Sequence, residues 1–391
     1  MTGRPYLAIP GPSVIPERVL NAMHRAAPDI YSSEMMDMAG GLVRDLKRVA
    51  GTKHDAAIYI TNGHGTWEAA LSNIFSPGDR ALVVVNRFFG MGWAGIAERL
   101  GVHCDIVDCG STGSIDSARL SEALAADKHH QIKVVMAVHV DTASSVRNDI
   151  PALRAALDAA GHPALLAIDC IASLGCDEFR MDAWGVDLML AACQKGLMTP
   201  PGLGFVFFGP KAAALREQAK CVTHYWDWKP RAAPSEFWQY WDGTAPTHHL
   251  FGLRAALDMI FEEGLDAVWA RHERFARTYW AALDAWGAPL KMNIPVAAHR
   301  SHAVTAVFAG PGSEGLKAYT RDHLGVTLGI GLGMAPVGDV TREQYFRIGH
   351  MGHVNAHMVL GVIGAIETGL VKLGIPHGTG ALAAAAQVLA E

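Results

Sequence analysis

Residues 191–208 read Ala-Ala-Cys-Gln-Lys-Gly-Leu-Met-Thr-Pro-Pro-Gly-Leu-Gly-Phe-Val-Phe-Phe. The apolar run from Val186 to Cys193 is typical of a buried strand, and Lys195 follows it almost directly. Removing an ammonium group from water is costly unless the group is paired or loses its charge. Desolvation lowers the pKa of a lysine and makes it a candidate Schiff-base amine. The alternative is a surface lysine on a loop, which is a common arrangement.

A second buried-strand pattern, Ala164 to Asp169, ends in a single carboxylate. Open α/β sheets bind ligands at the carboxyl ends of their strands, where Asp169 and Lys195 are both expected. This pair suits pyridoxal 5'-phosphate (PLP): a carboxylate keeps the pyridinium nitrogen protonated, and a lysine holds the aldehyde and moves protons. The pattern therefore predicts catalytic roles for Lys195 and Asp169.

Longer motifs support this interpretation. Leu-Leu-Ala-Ile-Asp-Cys-Ile-Ala-Ser-Leu-Gly (165–175) and Gln-Lys-Gly-Leu-Met-Thr-Pro-Pro-Gly-Leu-Gly (194–204) closely resemble the class V aminotransferases, in particular the alanine-, serine- and aspartate–glyoxylate enzymes. The resemblance extends from Ile9-Pro-Gly-Pro to Phe346-Arg-Ile-Gly-His-Met-Gly. It implies a fold-type I PLP-dependent transferase of α/β class, with a large domain on a mainly parallel sheet and a smaller C-terminal α/β domain. We expect an N-terminal arm at 1–20, the large domain at 21–265 and the small domain at 266–391.

The turn Asn62-Gly63-His64-Gly65 opens a predicted helix. Backbone N–H groups at a glycine-rich helix start favour an anion, although the pattern alone is weak. Because it resembles the phosphate loop of the family, Gly63 and His64 are expected to bind the cofactor phosphate, with Gln194 beside them. The resemblance also implies that Thr244 reaches the phosphate of a neighbouring subunit. Trp241 falls near the place of a tyrosine that commonly accompanies this threonine.

Aromatic and apolar residues are expected to hold the pyridine ring. The resemblance implies that an aromatic residue after the third strand stacks on the ring, and Phe89 matches best, with Phe88 as the alternative. Ile171 would press on the opposite ring face. Thr142 lies in Val-Asp-Thr-Ala-Ser-Ser (140–145), where relatives commonly have Asn-Glu-Thr-Ala-Thr-Gly; it would hydrogen-bond the cofactor, but the departure leaves the amino donor open.

Two further residues are expected to bind substrate. Arg347 lies in a short apolar strand, where a semi-buried guanidinium favours a planar anion held by two hydrogen bonds. The resemblance implies that it binds the substrate α-carboxylate, whereas a structural ion pair is the alternative. The resemblance also places Gly11, in the Pro-Gly-Pro arm, at the border of the substrate pocket; a plain extended terminus is the alternative.

Two other motifs are not expected to bind ligands. Gly329-Ile-Gly331-Leu-Gly333 lacks a third glycine at the spacing of a dinucleotide fingerprint, and it also lacks the acidic partner about 20 residues on. The motif therefore predicts a flexible loop. His350, His353 and His357 are spaced along a possible helix, but glycines interrupt it and no carboxylate completes a set. We expect surface histidines and no metal.

Composition limits the partners. The 391 residues carry a net charge of −5 without a basic stripe, which argues against nucleic-acid binding. No signal core or membrane-length apolar run is evident, and six cysteines without a Cys-x-x-Cys pair suggest reduced thiols. A cytoplasmic enzyme without membrane partners is expected. The tryptophan-containing segment 221–243 is read as an interface or pocket lid of a homodimer whose active sites lie between subunits.

The sequence therefore predicts a PLP-dependent aminotransferase that acts on small amino acids (serine, alanine or aspartate) and on the 2-oxo acids glyoxylate or pyruvate in a ping-pong reaction. Alternatives are a pyridoxamine–pyruvate aminotransferase, another class V PLP enzyme such as a lyase, and a non-catalytic PLP-binding protein. A cysteine desulfurase is disfavoured because no cysteine follows Cys221 in the C-terminal half.

Overall fold

Two sheets organise the chain in a computed structural model, which describes residues 4–391. The strands are β1 (Tyr6–Ala8), β2 (Asp55–Thr61), β3 (Arg80–Val85), β4 (His103–Asp108), β5 (Ile132–Val138), β6 (Val140–Asp141), β7 (Val146–Arg147), β8 (Leu165–Asp169), β9 (Leu188–Ala192), β10 (Gly202–Phe208), β11 (Lys291–Met292), β12 (Val304–Phe308), β13 (Val326–Ile330) and β14 (Tyr345–Gly349). The helices are α1 (Glu17–Met23), α2 (Ser33–Ala50), α3 (Gly63–Ile74), α4 (Phe88–Arg99), α5 (Ser117–Ala126), α6 (Ile150–Ala159), α7 (Pro210–Arg216), α8 (Trp228–Ala232), α9 (Thr247–Glu263), α10 (Leu265–Trp286), α11 (Ser313–Leu324), α12 (Ala356–Leu373) and α13 (Ala381–Ala390).

The larger sheet has the strand order β2-β10-β9-β8-β5-β3-β4. Strands β9, β8, β5, β3 and β4 run parallel, and β10 is antiparallel to both of its neighbours. Every residue of β8 and β9 is buried, because one apolar cluster covers each face of the sheet. Such double covering explains the continuous apolar runs in the sequence. The mainly parallel α/β fold predicted for this part of the chain is confirmed.

The smaller sheet has the order β1-β13-β14-β12-β11 and is antiparallel except for the β1–β13 pair. The prediction of an irregular arm is therefore wrong at Tyr6–Ala8, which pairs with Val326–Leu328. An edge strand recruited from so far along the chain leaves no local signal, since its partner is set by tertiary contacts. The remaining arm, from Ile9 to Pro16, crosses between the two sheets without regular structure.

Helix α10 links the two cores. It begins at Leu265 and ends at Trp286. Val268 near its start belongs to the core of the larger sheet, whereas Phe275 and Tyr279 pack in the core of the smaller sheet. The helix thus supports an expected division of the chain near residue 265, although the boundary itself stays a prediction.

Two sequence expectations are wrong in detail. Gly329 and Ile330 are not loop residues but end β13, where Gly329 pairs with Arg347 of β14. In the segment 221–243, Trp228 and Trp241 are buried, and only Trp238 is strongly exposed. These indoles fill the core rather than a surface, because bulky aromatic side chains in an irregular segment still bury large apolar areas.

Helix α12 has the length and apolar composition of a membrane span, contrary to the expectation that no segment approaches this. One face of the helix, including Val359, Val362 and Ile366, packs in the core of the smaller sheet. One helix of this kind is weak evidence for a membrane, because a core helix meets the same criterion. The six cysteines are all free thiols.

The histidines near residue 350 do not share one face. His350 is fully buried, contrary to the expected surface position: its Nδ1 lies 2.8 Å from the carbonyl oxygen of His302, and its Nε2 lies 3.0 Å from Thr305 Oγ1. His353 and His357 are exposed. Burial lowers the pKa of His350 to about 4, so this side chain is a neutral hydrogen-bonding group of the core.

A second buried histidine joins α10 to the loop after β14. His272 Nδ1 lies 2.7 Å from the carbonyl oxygen of Val268, and Nε2 accepts the Gly352 N–H at 3.0 Å. Nε2 must carry no proton to accept this hydrogen bond, so the imidazole ring is neutral. Burial, reinforced by Arg271, lowers the pKa of His272 from 6.5 to about 3.

Acid should therefore destabilise the protein through His272. Its folded-state pKa lies below that of the unfolded chain, so its contribution is present above about pH 6.5 and is lost as the pH falls towards about 3. We expect the melting temperature to fall by a few degrees between about pH 7 and pH 5. His272→Gln, which can still accept from Gly352, should show a smaller fall. A His357→Gln variant, altered at an exposed histidine, should keep the wild-type slope; equal slopes in all three proteins would contradict the assignment.

Candidate active site

A cavity of about 290 Å³ lies at the carboxyl ends of the parallel strands. Asp169 ends β8, and Lys195 follows β9 in the next strand of the sheet. All the predicted site residues line this cavity except Thr244 and Arg347: they are Gly11, Gly63, His64, Phe89, Thr142, Asp169, Ile171, Gln194 and Lys195. The topology thus brings together residues from six separate segments of the sequence, and their individual roles stay predictions.

Lys195 is held at the cavity by contacts with the N-terminal arm. Its Nζ donates a hydrogen bond to the carbonyl oxygen of Pro10, and Ser13 Oγ donates to the carbonyl oxygen of Lys195 at 2.7 Å. Burial and, to a smaller extent, the positive charge of Arg347 lower the pKa of the amine to about 8, against the opposing charge of Asp169. An amine with this pKa is partly neutral near neutral pH, as a nucleophile or a proton acceptor must be.

Asp169 is buried, and both of its oxygens accept hydrogen bonds. Oδ1 accepts the Ile171 N–H at 2.7 Å, and Oδ2 accepts from Trp67 Nε1 at 2.8 Å. Burial nevertheless raises the pKa of the carboxyl group to about 7, with a smaller contribution from the nearby Asp141. A cationic group in the cavity would favour the ionised form and bring this pKa down.

Gly11 brings the N-terminal arm against Lys195. Its φ of +100° lies in the region that favours glycine, and a Cβ built on it would lie 2.3 Å from Lys195 Nζ. Only a residue without a side chain allows this approach. This close contact explains why a glycine in the arm borders the cavity.

Gly11→Ala should therefore impair cofactor capture by Lys195. We expect the affinity for PLP to fall at least about tenfold, because the added methyl group displaces the amine and strains the arm. Titration of the protein with PLP, followed by visible absorbance, measures this. Gly78→Ala is the matched control, since Gly78 also has positive φ (+90°) but its Cβ would meet nothing within 4 Å. Equal PLP affinities in the two variants would contradict the proposed contact.

The start of α3 forms another wall. Asn62 caps the helix, and its Oδ1 accepts the N–H groups of His64 and Gly65 at 3.1 and 3.2 Å. The His64 side chain is exposed towards the cavity. Gln194 Oε1 is buried without a hydrogen-bond partner among the described residues. An orphaned amide oxygen in a cavity wall is costly unless a ligand or water satisfies it, so this oxygen indicates a polar ligand.

The walls for a flat ring are Phe89 and Ile171. Both line the cavity, whereas Phe88, the alternative to Phe89, lines a neighbouring cavity. The Phe89 N–H donates to Asp141 Oδ2 at 3.1 Å, and Asp141 also accepts from the turn that follows it. Asp141, to which the sequence assigned no role, thus fixes the backbone of Phe89. Thr142 lines the cavity beside this turn.

Arg347 lies behind the cavity rather than in its wall. Its Nε donates to the carbonyl oxygen of Ile330 at 2.6 Å, and Nη1 donates to that of Thr142 at 2.8 Å. The structural ion pair considered as the alternative is not formed within residues 4–391, since no carboxylate bonds this guanidinium. Burial lowers the pKa of Arg347 to about 10. The unused N–H groups stay available to an anion.

Thr244 is exposed and does not line the cavity of its own chain, and its expected contact with a second subunit stays a prediction. Trp241 is buried in the core, so it cannot replace a phosphate-binding tyrosine within this chain.

Sequence reasoning missed Trp67 as a site residue. Its indole lines the cavity and bonds Asp169. The available signal was spacing: Trp67 lies four residues after Gly63 on α3, and residues four apart share a helix face. The capping role of Asn62 was also readable, because asparagine before a helix is a preferred N-cap.

A mainly parallel α/β sheet with a half-buried lysine and a buried carboxylate at its carboxyl edge defines a candidate site for an aldehyde cofactor and an amino substrate. The family model for "Aminotransferase class-V" matches residues 6–349. The chain belongs to this family of aminotransferases. The family implies PLP as the cofactor.

Named relatives agree with this assignment. The chain is 37% identical to serine–glyoxylate aminotransferase of Arabidopsis thaliana over 98% of this chain and 94% of that protein. It is 36% identical to L-aspartate–glyoxylate aminotransferase of Paracoccus denitrificans over 99% of this chain and 96% of that protein. The solved structure of pyridoxamine-pyruvate aminotransferase from Mesorhizobium loti superposes with a TM-score of 0.89 at 25% identity, covering 99% of this chain and 98% of that one.

Proposed function

We propose that the protein is a PLP-dependent aminotransferase that transfers the amino group of a small amino acid (serine, alanine or aspartate) to glyoxylate or pyruvate. The observation that carries this proposal is the convergence of the Lys195 amine and the Asp169 carboxylate on one cavity. The names of the relatives, which act on serine or aspartate and glyoxylate, support the substrate class.

The residues present fit PLP. An amine with a pKa of about 8 is available for the aldehyde, and a buried carboxylate is available for the pyridine nitrogen. Phe89 and Ile171 supply apolar walls for the ring, and the orphaned Gln194 oxygen indicates a polar ligand. When bound, PLP carries the amino group and accepts the electron pair left when the α-carbon loses its proton.

The chain's own groups then act as binding and proton-transfer residues. Lys195 Nζ, once free, would take the proton from the substrate α-carbon and later return it to a carbon of the cofactor. Asp169 keeps a proton on the ring nitrogen by its negative charge. Arg347 offers its unused N–H groups to the α-carboxylate. The apolar residues Val138 and Val140 in the cavity wall limit water at these groups.

A pyridoxamine–pyruvate aminotransferase is the second candidate. The N–H group of His64, which is expected to bind phosphate, and that of Gly65 are both occupied by the Asn62 cap. A site that takes unphosphorylated pyridoxamine would not need them, and a pyridoxamine-pyruvate aminotransferase has a similar structure. In the first reaction PLP stays bound as a cofactor, whereas in the second pyridoxamine is itself a substrate and its product is released.

We also propose a cytoplasmic homodimer. The exposed Thr244 and Trp238 support a subunit contact beside the active site, and the free thiols of all six cysteines suit a reducing compartment. Sedimentation of the purified protein would test the dimer.

The half-reaction tests the proposed activity. Protein loaded with PLP is mixed separately with serine, alanine, aspartate or glutamate, without an acceptor, and its visible absorbance is followed. Loss of the PLP band with a donor, and its return with glyoxylate or pyruvate, is the expected result. Turnover of free pyridoxamine and pyruvate without added PLP would favour the second candidate. A PLP band that no amino acid discharges would contradict both and favour a lyase or a non-catalytic PLP-binding protein.

A further inference from the structure

A second cavity, of about 600 Å³, adjoins the active-site cavity. His64, Trp67 and Phe89 line both. The remaining wall comes from the start of α4 and from residues 332–342 between β13 and β14. A substrate that extends past Phe89 would therefore enter this space, which we call the arginine chamber after Arg87 and Arg342 in its wall.

The chamber is positively charged. Arg87 and Arg342 line it, and none of its described lining residues is acidic. Within the described part of the chain, neither guanidinium forms a side-chain hydrogen bond or ion pair, whereas most other arginines near the larger sheet pair with a carboxylate. Two unpaired cations facing one partly apolar space repel each other and favour a shared anion.

The position of Arg87 is fixed by its neighbours. Its φ of +81° is uncommon for a residue with a side chain, and such strain persists only where the surroundings hold it. On one side Asn86 is tied by its amide to Gly113 O at 2.8 Å, and on the other the Phe89 N–H is bonded to Asp141. The sequence therefore holds Arg87 at the entrance to α4 against its backbone preference.

The opposite wall is brought close by a glycine. A Cβ on Gly333 would lie 2.6 Å from Phe88 Cβ, so only glycine allows this segment to approach α4. The Gly331-Leu-Gly333 segment thus closes the chamber. Arg342 lies near enough to Arg347 to add to the lowering of its pKa. The chamber therefore adjoins Arg347, the residue that is expected to bind the substrate α-carboxylate.

We propose that the arginine chamber binds the distal carboxylate of a dicarboxylic amino acid, which makes aspartate-like donors the preferred substrates of this enzyme. The proposal rests on the proposed aminotransferase function. Arg347 would take the α-carboxylate, and Arg87 and Arg342 would take the second one. Planar guanidinium groups bind carboxylates through paired hydrogen bonds, and the apolar part of the wall, including the half-buried Leu332, strengthens that attraction. Serine and alanine offer no such group.

Binding of unreactive acids tests the chamber separately from catalysis. Succinate and butyrate have the same number of carbon atoms but differ in the second carboxylate. Calorimetry with the PLP-loaded protein should show succinate binding at least about tenfold more tightly than butyrate. Arg87→Gln and Arg342→Gln should each reduce this preference about tenfold. Arg99→Gln removes a positive charge from the exposed end of the same helix and should leave the preference unchanged.

Half-reaction rates provide the second measurement. The ratio of kcat/KM for aspartate to that for alanine should exceed one and should fall about tenfold in each chamber variant. Equal binding of succinate and butyrate by the wild-type protein would overturn the proposal. So would conversion of either chamber variant to monomers, because the arginines would then serve the subunit contact. Retained succinate preference without any discharge by amino acids would support the chamber and refute the proposed transamination, so the two failures are distinguishable.

Discussion

Replacing Lys195 with alanine is expected to lower the rate of amino transfer at least about a thousandfold, because one side chain supplies both the covalent attachment and the proton transfer. The structure gives this lysine a position in the cavity wall and a pKa lowered to about 8 by burial. An exposed lysine would have neither of these properties. Single-turnover kinetics with serine and aspartate measure the loss.

Two further variants separate chemistry from structure in this experiment. Lys195→Arg keeps a positive charge but lacks a titratable nucleophile, so it should be as inactive as Lys195→Ala. Lys128→Ala, at an exposed lysine after α5, should retain the wild-type rate. A Lys195→Ala protein that keeps the visible absorbance of bound PLP and transfers amino groups at more than a tenth of the wild-type rate would refute the assignment.

Replacing Asp169 with asparagine should lower kcat by about a hundred- to a thousandfold. In the proposed reaction the Asp169 carboxylate keeps the ring nitrogen of PLP protonated, and a neutral amide does not supply that negative charge. The amide can still accept from the Ile171 N–H. It then turns its NH₂ group towards Trp67 Nε1, so that two donors face each other in a buried position. The single variant is therefore expected to lose stability as well as activity.

The double variant Asp169→Asn with Trp67→Phe removes that donor conflict. Its melting temperature should recover relative to Asp169→Asn, whereas its kcat should stay low. Joint recovery of stability and activity would show that the carboxylate acts only through packing. Trp67→Phe alone removes one donor that holds the carboxyl pKa down, so the pKa of Asp169 should rise above about 7 and the rate near neutral pH should fall.

Several features of the site were readable without coordinates. Buried-strand patterns ending at Asp169 and shortly before Lys195 predict neighbouring positions, because parallel strands present their carboxyl ends at one sheet edge. The glycine-rich turn before α3 and the arm at Gly11 were likewise identified by motif, and both line the cavity. These signals survive in sequence because each depends on residues adjacent in the chain.

Other features depend on contacts between distant residues. The indole of Trp67 meets Asp169, 102 positions away, and the guanidinium of Arg347 meets Thr142, 205 positions away. His350 is buried although its flanking glycines suggest a surface turn. Periodicity reports which side of an element is apolar but not which element covers it, so such partners cannot be derived from local pattern.

By itself, the sequence determined the mainly parallel α/β fold and the residues that supply an amine and a carboxylate. Only the tertiary structure decided that Tyr6–Ala8 completes the sheet of the C-terminal residues and that Gly333 closes on Phe88 beside two unpaired arginines. The physical reason is that local patterns set backbone preference and burial, whereas pairing across hundreds of residues is selected by the packing of the whole chain.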